Sequence, residues 1–229
     1  MLLTGCSEGG AGVSGGPSSS APSSVQASPE ASSSRAPAPA VSPPVATSEP
    51  LAAGKVVVLD PGHNGGNVKS PSVINKQVPA GRGETKPCNT TGTSSNDGYT
   101  EHEFNWDVAQ RVGNALSAKG IHVVYTRHDD TGVGPCVDQR AAIGNDANAA
   151  AVVSIHADGS TAASAHGFHV SYSNPPLNGA QGQPSISLAD DLRDSLRGEG
   201  FATSTYLGTN GIYPRDDLAG LNLSTRPAA

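Results

Sequence analysis

His63, Glu101 and His156 are the residues of this chain whose types and spacing could do chemistry. His63 sits in Asp60-Pro61-Gly62-His63 and His156 in Ser154-Ile155-His156-Ala157, each closing a short apolar run. Glu101, in Gly98-Tyr99-Thr100-Glu101, opens an amphipathic segment. Two imidazoles and one carboxylate fill three positions on a zinc ion and leave the fourth for water or substrate. By spacing alone, loop histidines with satisfied hydrogen bonds are an equal reading of the same pattern.

The elements that must position these groups follow from local signals. A β-branched run predicts a strand over residues 55–60, and Pro61-Gly62 turns the chain at its end. Residues 64–100 are rich in Gly, Asn, Ser, Thr and Pro and read as one long loop, a kind that is usually functional. Thr100-x-x-Glu103 is a capping-box pattern that starts a helix and occupies Glu103 at its N-terminus. Phe104, Val108, Val112 and Leu116 recur every four residues as its expected core stripe, and Gly120 ends it. Further strands are expected over 121–126 and 151–156, with an Ala-rich second helix over 138–150. Residues 167–172 read as a fourth strand, and the short connection from His156 allows it an antiparallel course. Leu188, Leu192 and Leu196 mark a third helix, closed by Gly198 and Gly200. This alternation predicts an α/β domain of three layers, a mostly parallel twisted sheet flanked by helices. In that class ligands collect at the C-terminal ends of strands, where His63 and His156 fall.

Composition divides the chain. Ser, Pro, Ala and Gly make up 35 of the first 50 residues, which hold four charges and no aromatic side chain. Such a stretch cannot bury enough apolar surface to offset its ordering entropy and is expected to be disordered. Residues 51–229 are the size of one domain. The net charge is −6 and there is no basic run, which disfavours nucleic acid as a partner. No stretch approaches the ~18 apolar residues of a membrane helix.

Three cysteines remain. Leu3-Thr4-Gly5-Cys6 resembles the lipobox of bacterial lipoproteins, although only five residues precede Cys6, as if the start lay inside a signal peptide. The Ser/Pro/Ala tract behind it would suit a tether, so the expected location is the cell envelope, with Cys6 as a lipid anchor. Cys88 and Cys136 lie in separate loops without zinc-finger spacing. In an exported protein they are expected to pair, two free thiols being the alternative.

These motifs together resemble the zinc-dependent N-acetylmuramoyl-L-alanine amidases of the amidase 3 family. The marks are Val57-Val58-Leu59-Asp60-Pro61-Gly62-His63, Glu101-x-x-x-Asn105, Arg140-x-x-x-x-Asn145, Ser154-Ile155-His156-Ala157-Asp158 and Gly167-Phe168-x-Val170. They occur in family order, and the resemblance covers residues 55 to about 226. The 64–100 loop and Ala219-Gly220-Leu221-Asn222-Leu223 look like the mycobacterial and actinobacterial branch. The resemblance implies His63, Glu101 and His156 as metal ligands, zinc as cofactor and peptidoglycan as substrate. The bond cut would be the amide joining the lactyl group of N-acetylmuramic acid to L-Ala of the stem peptide.

Beside these ligands, Asp60 reads as an orienter of a ligand histidine. Arg140 and Asn145 read as helix-packing and loop-fixing residues. His102 is expected to be exposed, and His122 and His128 to be structural or solvent-facing. His166 and His169 flank the fourth strand without matching a family ligand.

The family normally continues with a strand ending in a Val-Glu-like pair, whose Glu is the general base. Pro227-Ala228-Ala229 stand where that strand should begin, and Glu199 lies in a glycine-flanked turn. The expectation is a truncated, monomeric catalytic domain over 51–229, lacking its last strand and helix, that holds the metal without the base. Three other readings stand beside it: a zinc-holding peptidoglycan-binding pseudoenzyme, a lipid-tethered envelope protein, and a zinc peptidase cutting within the stem peptide.

Overall fold

The structure, a computed structural model, describes residues 54–229. The expectations for residues 1–50, Cys6 among them, lie outside these residues. Strand β1 (Val56–Pro61) is the centre of a three-stranded parallel sheet. It is flanked by β4 (His122–Tyr125) and β5 (Ala151–Ile155). In register, Val57 lies opposite both Val123 and Ala151, and Leu59 opposite both Tyr125 and Val153. Val58 and Leu59 are wholly buried, as a strand covered on both faces requires, and this explains its unbroken apolar run. The core gathers Val58, Ala149, Val152, Leu221 and Ala228. On the far side of β5, Val152 bridges Ala228 in parallel, and the Val152 and Ser154 N–H groups donate to Pro227 O and Ala229 O at 2.8 and 2.9 Å.

The first long helix, α2 (Glu101–Ser117), carries the expected capping box. Its buried face is Glu101, Asn105, Ala109 and Gly113, one position away from the expected stripe. Phe104 and Val112 are more than a third exposed. The helix lies so close to β4 that a Cβ at Gly113 would overlap the Tyr125 ring. Only small side chains fit on the inward face, and the larger apolar ones are displaced to its flank.

Helix α3 (Val137–Asp146) stops short of the expected 150. Asn148 takes a left-handed φ of 48°, and Ala149 is buried in the core as the chain turns into β5. The region read as one long loop contains structure of its own. It holds a 3-10 turn (Gly65–Lys69), the short helix α1 (Pro71–Ile74) and a hairpin of β2 (Gln77–Gly81) and β3 (Glu84–Pro87). The hairpin turns on Arg82 and Gly83, both at positive φ, without the Asn-Gly or Asp-Gly signal that marks such turns in sequence. Its strands are largely exposed and so show no apolar alternation. The hairpin is anchored from outside: Arg82 donates to Asp216 O and Ser173 Oγ at 3.0 Å, and Asn222 donates to Ala80 O at 3.1 Å.

Residues 167–172 do not form a continuous strand, and their pairing is not antiparallel. Phe168 and Val170 make isolated parallel bridges to Thr203 and Ile212, partners separated by turns around Thr209. Helix α4 (Gln183–Gly198) contains the expected leucine series, and α5 (Ala219–Asn222) places Leu221 in the core.

Cys88 and Cys136 form a disulfide, with Cα atoms 4.3 Å apart, inside the ~7 Å that bridging allows. Cys88 is fully buried. Replacing both cysteines with serine is expected to cost about 4 kcal/mol, from loop-closure entropy over the bridged segment. Denaturant melts of the oxidised and double-serine chains measure it, and coincident midpoints would contradict the expectation.

Candidate metal centre

Parallel pairing brings the two histidines together. β1 and β5 run side by side and end at the same level, and the Gly62 N–H continues the ladder by donating to Ile155 O at 2.9 Å. His63 follows with a left-handed φ of 60°, uncommon for a residue with a side chain. Two anchors hold it: Arg140 donates to His63 O at 2.8 Å, and His63 Nδ1 lies 3.2 Å from Thr90 O. His156 leaves β5 directly, and Glu101 reaches the same point from the first residue of α2.

Glu101 Oε1 lies 3.1 Å from His63 Nε2 and 3.0 Å from His156 Nδ1. One candidate ligand atom from each of the three residues lies within 4.8 Å of the others. The imidazoles stand nearly perpendicular, with centroids 5.0 Å apart. Glu101 is otherwise fully used: Oε2 accepts the Thr93 N–H at 2.9 Å and Oε1 the Ala157 N–H at 3.0 Å. Burial opposes ionisation of this carboxyl, but hydrogen bonds from His156, His63 and the Thr93 N–H outweigh it and hold the pKa far below the ordinary 4.5. With its proton on Nδ1 toward Thr90 O, His63 would instead turn an unprotonated Nε2 to the cluster, where a cation shared with the carboxylate would take the place of the proton; the donor set suits one.

Two glycines keep room for this arrangement. A Cβ at Gly62 would overlap the His156 ring. A Cβ at Gly92 would lie 2.9 Å from His63 Cδ2 and 3.0 Å from Glu101 Oε2. Gly62→Ala is therefore expected to displace His156 and weaken metal retention by about tenfold or more, as loss of one well-placed contact does. Metal content after dialysis against graded chelator, read beside the thermal melt, separates this from unfolding. Wild-type retention in the variant would contradict it.

The ligand residues line an open cavity of about 450 Å³ with Thr90–Thr93 and Ala157–Gly159. Sequence reasoning missed the 90–93 loop, although Thr90 and Thr93 hold two of the three clustered residues. Thr and Gly carry no pattern there, and the one available signal was Cys88 just upstream.

Several neighbours differ from expectation. Asp60 orients no histidine. Its Oδ1 accepts from Thr126 Oγ1 at 2.6 Å and Arg140 Nη1 at 2.8 Å, and its Oδ2 from Ser154 Oγ at 2.7 Å. Burial raises its pKa, but Arg140 and these hydrogen bonds prevail and bring it from 3.8 to about 2. His102 is not exposed: its Nδ1 lies 2.8 Å from Asp130, which also binds Arg127, and the Gly65 turn covers its ring. Arg140 fixes loops as expected, donating to Pro61 O, His63 O, Gly134 O and Pro135 O. Asn145 ties down Leu223 and Thr225. Glu103 caps α2 by accepting the Thr100 N–H. His122, His128 and His166 face solvent. His169 is mostly buried and lies 3.7 Å from Asp158. Glu199 is exposed at the end of α4, away from the cavity.

With this geometry in hand, comparison with known proteins decides the family. The Amidase_3 profile, N-acetylmuramoyl-L-alanine amidase, matches residues 57–229. The chain belongs to this family. It is 49% identical over 176 residues to the N-acetylmuramoyl-L-alanine amidase Rv3717 of Mycobacterium tuberculosis, covering 77% of this chain and 71% of that protein. Its fold matches the crystal structure of the N-acetylmuramyl-L-alanine amidase Ami1 from Mycobacterium smegmatis at a TM-score of 0.74 and 50% identity, over 77% of this chain and 80% of that one. The apo form of Ami1 from Mycobacterium abscessus matches at 0.74 and 53% identity, over 77% and 81%. Within the amidase family frame, His63, Glu101 and His156 are the residues the structure brings together, and the parallel sheet is what aligns them.

Proposed function

We propose that this amidase-family chain binds one zinc ion through His63, Glu101 and His156 and acts on the amide between N-acetylmuramic acid and L-Ala of peptidoglycan. The observation that carries the reading is the meeting of three ligand atoms within 4.8 Å at the floor of an open cavity. Zinc held there supplies a Lewis acid for the amide carbonyl and acidifies water toward a pKa of ~7. The chain's own residues set the stage. Thr90 orients His63, while the Thr93 and Ala157 N–H groups fix the Glu101 carboxylate. The cavity leaves room for the substrate beside the ligands. Export to the envelope belongs to the same proposal and is supported by the disulfide, which suits an oxidising compartment.

One observation favours the non-catalytic alternative. Among the described residues, the carboxylates lining the cavity are Glu101, whose oxygens are occupied, and Asp158. The test is metal analysis followed by product mass spectrometry on muramyl dipeptide. About one zinc per chain is expected, lost in the His63→Ala, His156→Ala double variant. Release of L-Ala-headed peptide supports amidase action, a cut within the peptide supports a peptidase, and zinc-dependent binding without either product supports the binding module. Zinc retained by the double variant overturns the assignment.

A further inference from the structure

Asp158 is the one carboxylate in the cavity that the ligand cluster does not use. It lies two residues beyond His156 and lines the same cavity. Its Oδ2 accepts the Tyr206 hydroxyl at 3.0 Å, and no protein donor is recorded for its Oδ1 among the described residues. The side chain is 41% exposed, so it is reachable from solvent. Burial and the bond to Asp158 both raise the Tyr206 pKa, which keeps the phenol a donor. His169 lies 3.7 Å from Oδ2, beyond hydrogen-bond reach. Burial and the nearby Arg215 hold its pKa below the ordinary 6.5, against the pull of Asp158. The nearby cation Arg215 pairs with Asp217 and stacks on Tyr213, and it acts on Asp158 through space without a hydrogen bond to it. The segments at 158 and 206 thus meet at the wall of the cleft and fix one carboxylate there with an oxygen left open.

We propose that Asp158, held by Tyr206, binds the side-chain ammonium of a diamino acid in the stem peptide. This rests on the amidase reading of the cavity and names the part of the substrate it selects. The carboxylate sits two positions beyond His156, at most ~7 Å between Cα atoms, close enough to the candidate ligands to meet a stem-peptide side chain beside the bond being cut. A carboxylate with a free oxygen that no protein cation hydrogen-bonds attracts a primary ammonium through a charge-assisted hydrogen bond.

The test measures binding to the zinc-loaded chain by calorimetry and needs no turnover. The probes are the free tripeptide L-Ala-D-isoGln-L-Lys and its Nε-acetyl form. The wild-type chain is expected to bind the lysine peptide about tenfold more tightly. Asp158→Asn is expected to remove that preference with an unchanged melt, and Tyr206→Phe to reduce it. Equal binding of the two peptides by the wild type overturns the proposal and leaves the amidase reading standing. So does a preference that survives in Asp158→Asn. Binding of neither peptide counts against both.

Discussion

Replacing Glu101 with alanine is expected to empty the metal centre and loosen the domain around it. Glu101 is 5% exposed and serves two kinds of partner at once. It faces both imidazoles, and it accepts the N–H groups of Thr93 and Ala157. The alanine variant removes the only anionic ligand of the set and strands two backbone donors. Each donor left unsatisfied out of water costs about 1–3 kcal/mol, so the two together are expected to cost about 2–6 kcal/mol. Glu101→Gln keeps an acceptor of the same shape without the charge. Its amide oxygen can take one of the two stranded N–H groups and its amide nitrogen neither, so it should recover part of the stability and little of the metal. Chelator-resistant zinc and the denaturation midpoint, measured on both variants, check the two effects separately. One equivalent of zinc persisting in the alanine variant would remove Glu101 from the ligand set.

The second large effect is expected at Arg140. Its guanidinium is buried and is shared among Asp60, Pro61 O, His63 O, Gly134 O and Pro135 O. Arg140→Met keeps most of the volume and leaves Asp60 charged, buried and unpaired. Breaking one side of a buried pair costs about 3–5 kcal/mol. Because Arg140 also holds the left-handed His63, metal retention should fall with stability. Adding Asp60→Asn should recover part of the stability by removing the stranded charge.

The acid dependence gives an independent check. The Asp60 pKa falls from 3.8 to about 2 on folding, so this group stabilises the fold fully above pH ~3.8 and progressively less as pH falls toward 2. The contribution is about 2 kcal/mol. Without Arg140, burial dominates and the Asp60 pKa rises, so stability should begin to fall at a higher pH than in the wild type. Urea melts between pH 2 and 6 resolve this, and superimposable pH profiles would contradict it.

The His63, Glu101 and His156 cluster was legible because parallel strands advertise themselves. The runs before His63 and His156 are apolar since both faces of the sheet are covered, and a histidine just past such a run stands at a strand end. Glu101 was legible through the cap that follows it. Other features depend on contacts that local pattern does not encode. Periodicity weights large apolar residues, so it chose Phe104 and Val112, whereas close approach to Tyr125 turned Ala109 and Gly113 inward. Asp60 looked like a partner for histidine by proximity in sequence. The sheet instead places it across from Thr126 and Ser154, beside an arginine 80 residues away. The 88–93 loop owes its position to a cysteine pair, and nothing in its own residues indicates that it grips two ligands.

The left-handed backbone of His63 has a consequence for how the domain melts. A non-glycine residue at φ 60° is held there at a cost of about 1–3 kcal/mol, and the surrounding contacts must supply it. An ion on the imidazole adds to them, because it binds the folded chain and has little affinity for the separated ligands. Mass action then makes the free-ion concentration a stability variable: at a hundredfold excess over the dissociation constant it adds about 2.7 kcal/mol. If zinc occupies the site as proposed, the melting temperature of this domain should rise with the zinc level of its surroundings, and the chain should be less durable in a metal-poor compartment.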